Sequence, residues 1–497
     1  MSENKTSFAE MKEELFYNPK HACKVLSADE VAAADAYCEG YKNFLDDAKT
    51  EREAVCVTVK EAEKNGFVPY EFGKKYEAGA KVYYNNRGKS IILAVIGKRS
   101  LADGVRIAAA HIDSPRLDLK PNPLYEDTDV ALLKTHYYGG IKKYQWTAIP
   151  LALHGVMVKK DGTVVNVCIG EDDNDPKFVI SDLLPHLAQE QSKRTLSDGI
   201  RGEELNVIIG SRPFADCDEA EAVKLNILKL LNEKYGIIEA DFLSAELEVV
   251  PAFKACDIGL DRALIGSYGH DDRVCAYPAL TAILETENPE YTVLSVLTDK
   301  EETGSDGNTG LHSSYMADFI TDLAETNGIP GRICMKNSEC LSADVNAAYD
   351  PTFADVLERR NAAYLNKGIV ITKYTGSRGK SGTSDASAEF MGRVRSMLDK
   401  NGVIWQIGEL GKVDLGGGGT VAKYVAAHNI DVVDAGVPVI SMHAPFEVVS
   451  KIDVYMAHRA FKVFFAPRCS SSVSRFPSSM AIIARRLALN STGRVMS

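Results

Sequence analysis

Five short segments of this chain place an aspartate, glutamate or histidine directly after an apolar run: AAAHIDSP, YGHDDRVCAYPAL, VLTDKEETGS, LSADVNAA and VISMHAPFEVVSKID. The side chains they offer are His111, Asp113, Asp271, Asp272, Glu301, Glu302, Asp344 and His443. Two imidazoles with several carboxylates form a donor set suited to zinc, manganese or cobalt. Carboxylates gathered without a cation raise one another's pKa; a bound metal resolves that conflict. Any one of these residues alone reads as a turn residue, a helix cap or a core histidine. The ordered set carries the signal.

Residues just beyond the carboxyl ends of strands in an open parallel sheet converge on one crevice, and the sequence supplies such strands. VRIAAA (105–110) and YTVLSVL (291–297) read as buried strands, and KVYYN and SIILAVIG as two more around NRGK. Residues 43–65 carry helical spacing and stop at Asn65-Gly66. VCAYPALTAILE reads as a helix in spite of Pro278, and SDASAEFMGRVRSMLDKNG as one with Ser384 as N-cap and Gly402 as stop. GGGGTVAKYVAAHNI and SKIDVYMAHRAFKVFF complete the helices. This alternation predicts an α/β fold, a mostly parallel central sheet sandwiched by helices.

From 120 to 248 the texture changes. HGVMVKKDGTVVNVCIG reads as a hairpin around Asp161-Gly162, followed by the acidic loop EDDNDPK and a helix in DEAEAVKLNILKLLNEKYG. The block is expected to be an inserted β-rich domain that divides a catalytic domain into residues 1–119 and 249–465. Residues 466–497 carry five arginines, no lysine and no acidic residue. They read as vector-derived or disordered tail, with a functional basic tail as the alternative.

Composition narrows the function. The 497 residues, 45% apolar and 25% charged, are those of a globular protein too long for one ordinary core. A net charge of -12 excludes non-specific binding to nucleic acid or anionic lipid. The apolar run Ile91–Gly97 is too short to span a membrane, and the N-terminus lacks a signal-peptide core. Ten scattered cysteines show no C-x-x-C spacing, so neither a thiolate zinc site nor a redox dithiol is indicated, and a cytoplasmic location with reduced thiols is expected. The glycine run 416–419 lacks the Lys-Ser/Thr of a phosphate loop and reads as close backbone approach to the cleft.

The five segments resemble the signature blocks of the aspartyl aminopeptidase/aminopeptidase I family of dinuclear zinc aminopeptidases. The resemblance runs from about residue 15 to 465 and takes in YYGG (137–140), LPHLA (184–188) and the glycine run. It implies an enzyme that removes the N-terminal residue of small peptides, with two Zn2+ per subunit (Mn2+ or Co2+ as substitutes). By matching position, Asp271 bridges both metals, His111 and Asp344 complete one, and Glu302 and His443 the other. Glu301 is then the general base, Asp113 orients His111, and Asp272 is structural. Successive side chains on an extended segment point apart, which separates Glu301 and Glu302 into base and ligand. Arg378 and Lys380 fall in the substrate-pocket loop, where they would pair with an acidic substrate side chain, although G-K-S-G-T departs from the aspartyl aminopeptidase pattern. His186 matches a histidine that reaches a neighbouring subunit's active site, and the insertion is implied to build dimers that assemble into a dodecamer. Two other readings use the same residues: a two-metal amidase or deacylase of small N-acyl substrates, and a non-catalytic scaffold. Free-amine against N-acyl substrates separates the first, and metal content without hydrolysis would mark the second.

Overall fold

A computed structural model describes residues 7–215 and 219–466 of the chain. At its centre is a nine-stranded sheet. In spatial order its strands are Val68–Pro69, Lys81–Asn86, Ser90–Val95, Val293–Thr298, Arg106–His111, Glu339–Ser342, Asp431–Gly436, Ile369–Thr372 and Trp405–Ile407. The four strands from Val293–Thr298 to Asp431–Gly436 are mutually parallel. Antiparallel pairings flank them on both sides, so the sheet is mixed around a parallel middle. Strands covered on both faces read as largely apolar runs, and Ser90–Val95, Arg106–His111 and Val293–Thr298 are buried at every position.

Alternation along the strands builds two cores. Ile91, Leu93, Val95, Ala108 and Ala110 face one cluster, with residues of helices Ala28–Asp47, His270–Leu284, Ala388–Lys400 and Lys451–Phe465. Ile92, Ala94, Ile107 and Ala109 face the other, against helix Tyr315–Glu325. Helices therefore cover both faces.

A second, seven-stranded sheet is antiparallel throughout and spans Arg116–Asp127 to Ala245–Pro251. It has its own core around Trp146, Leu153, Val207 and Leu247. Its first and last strands in chain order, which pair with each other, start and end a few residues beyond the expected 120 and 248. Contacts nevertheless join the chain up to Ala466 into one compact unit. A third sheet of five short strands includes Leu264–Ser267, Pro438–Ile440 and Glu447–Ser450. The stretch expected to be a tail lies, from residue 467, outside the described residues. No helix among the described residues is long and apolar enough to cross a membrane.

Two helix boundaries differ from expectation. The single helix expected over 43–65 is two, Ala28–Asp47 and Glu51–Lys64, parted at Thr50. Thr50 and Glu53 form a reciprocal capping box that restarts the chain there. In SDASAEF the cap is Ser387, not Ser384: its hydroxyl accepts the Phe390 N–H at 3.2 Å. Three residues earlier, the chain is held in a loop where Asp385 pairs with Lys380 and Lys373. The stop is as expected, with Gly402 at φ 63 and the Val403 N–H closing onto the Leu398 carbonyl. Ser387→Ala should therefore cost about 1 kcal/mol, read as a lowered unfolding midpoint, whereas Ser384→Ala should leave it unchanged.

Candidate metal centre

Three neighbouring parallel strands end on the same side of the sheet. Arg106–His111 finishes on His111 itself, Glu339–Ser342 leads within two residues to Asp344, and Val293–Thr298 leads into Glu301 and Glu302. The two glutamates are not on an extended segment. They begin a short 3-10 turn, Glu301–Thr303, entered through Lys300 at φ 71. Such a turn rotates successive side chains by about 120°, and this separates them. Asp271 comes from the start of helix His270–Leu284, where it and Asp272 have non-helical backbone and are joined by a cis peptide bond. His443 reaches the same place from the third sheet, following Pro438–Ile440, with φ 66.

Asp271 sits between the two histidines. Its Oδ1 is 3.1 Å from His111 Nε2 and its Oδ2 is 3.2 Å from His443 Nε2. His111 Nε2 is also 3.9 Å from Glu301 Oε2 and from Asp344 Oδ1, and His443 Nε2 is 3.5 Å from Glu302 Oε2. Donor atoms of His111, Glu301 and Asp344, and of His111, Asp271 and Glu302, gather within 4.8 Å. Buried and without a hydrogen-bond partner among the described residues are His111 Nε2, Asp271 Oδ1, Glu302 Oε1 and Asp344 Oδ2. His111 Nε2 and Asp271 Oδ1 are close, yet they make no hydrogen bond with each other. A buried polar atom left unpaired costs about 1–3 kcal/mol. Nitrogen and carboxylate donors aimed at common points fit divalent zinc.

Both imidazoles have a defined orientation. His111 Nδ1–H donates to the Asp113 main-chain carbonyl at 2.9 Å, and His443 Nδ1–H to the Gly140 carbonyl at 2.8 Å. A carbonyl only accepts, so the proton belongs on Nδ1 and each Nε2 turns its lone pair to the cluster. The Asp113 carboxylate, 3.3 Å from His111 Nδ1, has further partners: the Tyr138 hydroxyl at 2.8 Å and the main-chain N–H groups of Glu301 and Glu302, both at 3.2 Å. It thus holds the glutamate turn as well as the histidine. Glu447 plays the matching part opposite, accepting the N–H of Asp271 at 3.0 Å and of His443 at 2.7 Å. Asp272 accepts the His111 N–H at 3.3 Å and is fully buried.

Charge crowding shows in the acidities. Burial, then neighbouring carboxylates, pushes Glu302 and Asp344 well above the ordinary carboxylate range, and Glu301 up to about 7. Burial resists charge on His443, but Asp271 and Glu302 more than offset this and hold it up to about 10. Burial also works against ionised Asp271, and the two imidazoles overcome it, so Asp271 lies below the usual range. The site takes up protons where a divalent cation would serve.

These side chains line one wall of a cavity of ≈ 420 Å³. Gly417, Gly418, Gly419 and Leu410 form another part, with Lys423, Tyr424 and Met442. Gly417 has φ 112, and a Cβ there would lie 2.5 Å from Ser377 Cα, so the glycine run is where backbone packs on backbone beside the cleft. Arg378 and Lys380 are not among the lining residues. Lys380 lies 3.0 Å from Asp385 and 3.7 Å from the Tyr374 ring centre. His186 is exposed on the second sheet's long loop. The eight residues singled out from the five segments are brought together, whereas Arg378, Lys380 and His186 are not. Glu447, Tyr138 and Lys423 were missed. Tyr138 stands in YYGG and Glu447 four residues after His443, so both motifs were in view, but bonds to distant main-chain groups and side chains leave no spacing signal.

The family model described as aminopeptidase I zinc metalloprotease (M18) matches residues 44–465. A protein of Clostridium acetobutylicum named a probable M18 family aminopeptidase 1 is 54% identical over 432 residues, 85% of this chain and 93% of that protein. The crystal structure of an M18 family aminopeptidase from Thermotoga maritima superposes with a TM-score of 0.87 at 45% identity, over 91% of this chain and all of that one. That of aminopeptidase I from Clostridium acetobutylicum gives 0.85 at 49% identity, over 91% of this chain and all of that one. With its strand-end cluster of histidines and carboxylates, the chain belongs to the M18 family of aminopeptidase I zinc metalloproteases, hydrolases that act on the N-terminal residues of peptides.

Proposed function

We propose that the centre holds two zinc ions and removes the N-terminal residue of short peptides, with Glu301 as general base. The reading is carried by Asp271, whose two oxygens address two different histidines at 3.1 and 3.2 Å. His111 and Asp344 hold one ion, Glu302 and His443 the other, and Asp271 is shared. Bound there, the cations supply Lewis acidity to the scissile carbonyl and acidify the attacking water. Glu301, beside His111 and at the cavity wall, takes the water's proton and passes it to the leaving amine. The substrate's free α-amino group is drawn to the carboxylates, which selects N-terminal residues.

For an acidic N-terminal residue, the expected pairing with Arg378 or Lys380 has little geometric support within a subunit, since Lys380 is engaged by Asp385. Lys423 is the Lys or Arg side chain found lining the cavity. The unit 120–248 serves oligomerisation. Leu183, Leu184 and Leu187 are exposed around His186, as suits a surface that another subunit covers. A yeast relative of the same fold, 18% identical with a TM-score of 0.71, is described as a dodecamer. We assign this chain the same assembly, with a cytoplasmic location.

Glu301→Gln should retain its metal and lose activity on aminoacyl anilides by about 100-fold or more. Wild-type turnover in that variant would refute the base assignment. Asp113→Asn, which weakens the support of His111 and of the glutamate turn, should lower metal affinity about 10–100-fold in competition with a chelator. Leu187→Lys should shift the particle to smaller mass in light scattering, whereas an unchanged mass would exclude this face from the assembly.

A further inference from the structure

A second cluster of metal-binding types lies outside the cavity. Glu53 of helix Glu51–Lys64, His154 of strand Leu151–Val158 and Cys168 of strand Val164–Ile169 bring an oxygen, a nitrogen and a sulfur within 4.8 Å of one another. His154 Nδ1 is 2.7 Å from Glu53 Oε1 and 3.9 Å from Cys168 Sγ. We propose that Glu53, His154 and Cys168 form a thiolate-containing zinc site, separate from the catalytic centre, that clips the antiparallel sheet to the helical layer.

The surroundings support a ligand rather than a chance contact. His154 Nε2 is 3.0 Å from Glu171 Oε1, and Glu171 is fixed by Lys49 at 2.7 Å and Lys254 at 2.9 Å. Glu171 therefore holds the Nε2 proton and leaves Nδ1 to face Glu53 and Cys168, the carboxylate–histidine–metal arrangement. The other Glu53 oxygen already accepts the Thr50 N–H, which leaves Oε1 for a cation. An unprotonated Nδ1 lone pair 2.7 Å from a carboxylate oxygen is repulsive, so something positive must lie between them. A proton serves across the ordinary pH range: burial works against charge on His154, but Cys168, Glu171 and Glu53 more than offset it and hold the imidazole up to about 11, so a metal must displace that proton. Zinc serves once the Nδ1 proton and the Cys168 thiol proton have left, so binding releases two protons and tightens as pH rises. His154 is buried but Cys168 is exposed, which gives the ion a path in and leaves a fourth position for water. Cysteine spacing does not reveal this site because its three ligands come from three segments.

Cobalt distinguishes the two centres, because the catalytic cluster offers only nitrogen and oxygen. The whole protein, stripped of metal and reloaded with cobalt at pH 8, should show a thiolate-to-cobalt charge-transfer band that Cys168→Ser lacks. Metal analysis should find one ion fewer per subunit in the variant, at unchanged peptidase activity. Glu53→Gln should keep the band but require more cobalt to reach it. Equal metal content and identical spectra for wild type and Cys168→Ser would overturn the site, whatever the outcome for the catalytic centre.

Discussion

Four carboxylates, those of Asp271, Glu301, Glu302 and Asp344, meet two imidazoles in one buried crevice, and the rest of the architecture answers to the repulsion this creates. Two like charges 4 Å apart repel by about 4 kcal/mol at the effective dielectric of a partly buried site. Sliding apart would relieve it, but the carboxylates are fixed by elements that cannot yield. Three of them follow strands locked in the parallel middle of a nine-stranded sheet, and the fourth begins a helix packed on that sheet. Relief must come from protons or from a cation. The weakened acidities of Glu301, Glu302 and Asp344 describe the first, and the unpaired inward-facing atoms the second.

The frame that withstands this strain is largely main chain. Each histidine gives its Nδ1 proton to a carbonyl, which fixes the ring without adding charge. Asp113 and Glu447 instead bring carboxyl groups, and each accepts two main-chain N–H groups. Asp113 ties the strand carrying His111 to the turn carrying Glu301 and Glu302. Glu447 ties Asp271 to His443. Each carboxylate thereby joins two segments that the sheet alone does not connect, and the left-handed backbone at Lys300 and His443 is held in place by these bonds.

How much of this was legible depended on where the determining contacts lay. Fully buried strands are apolar runs, so VRIAAA and YTVLSVL could be placed directly, and with them the two parallel strands that lead to His111, Glu301 and Glu302; the four-residue strand Glu339–Ser342 before Asp344 was too short to be placed. Local signals were weaker when two candidates competed. Ser384 and Ser387 both precede the same helix, and the choice is made by Asp385, which pairs with lysines at 373 and 380. The break at Thr50 was written as T-x-x-E inside a continuous helical period that concealed it. The third sheet, which carries His443, has strands of only two to four residues, too short to show a period. Glu447 was least visible, because its partner Asp271 lies 176 residues away and offers a main-chain group any residue would have.

The second sheet is more than an attachment to the catalytic part. Its strand Val130–Tyr138 ends at the crevice, where the Tyr138 hydroxyl bonds Asp113 and the Gly140 carbonyl receives the His443 Nδ1 proton. Gly139 must be small: at φ 74, a Cβ on it would lie 3.3 Å from Glu302 Cβ. YYGG therefore joins the two sheets through the metal centre: one tyrosine steadies the residue behind His111, and one carbonyl aims His443. A displacement of the antiparallel sheet at this point would shift both the partner of Asp113 and the carbonyl that aims His443. The antiparallel sheet thus helps to orient groups of the metal centre that it does not contain.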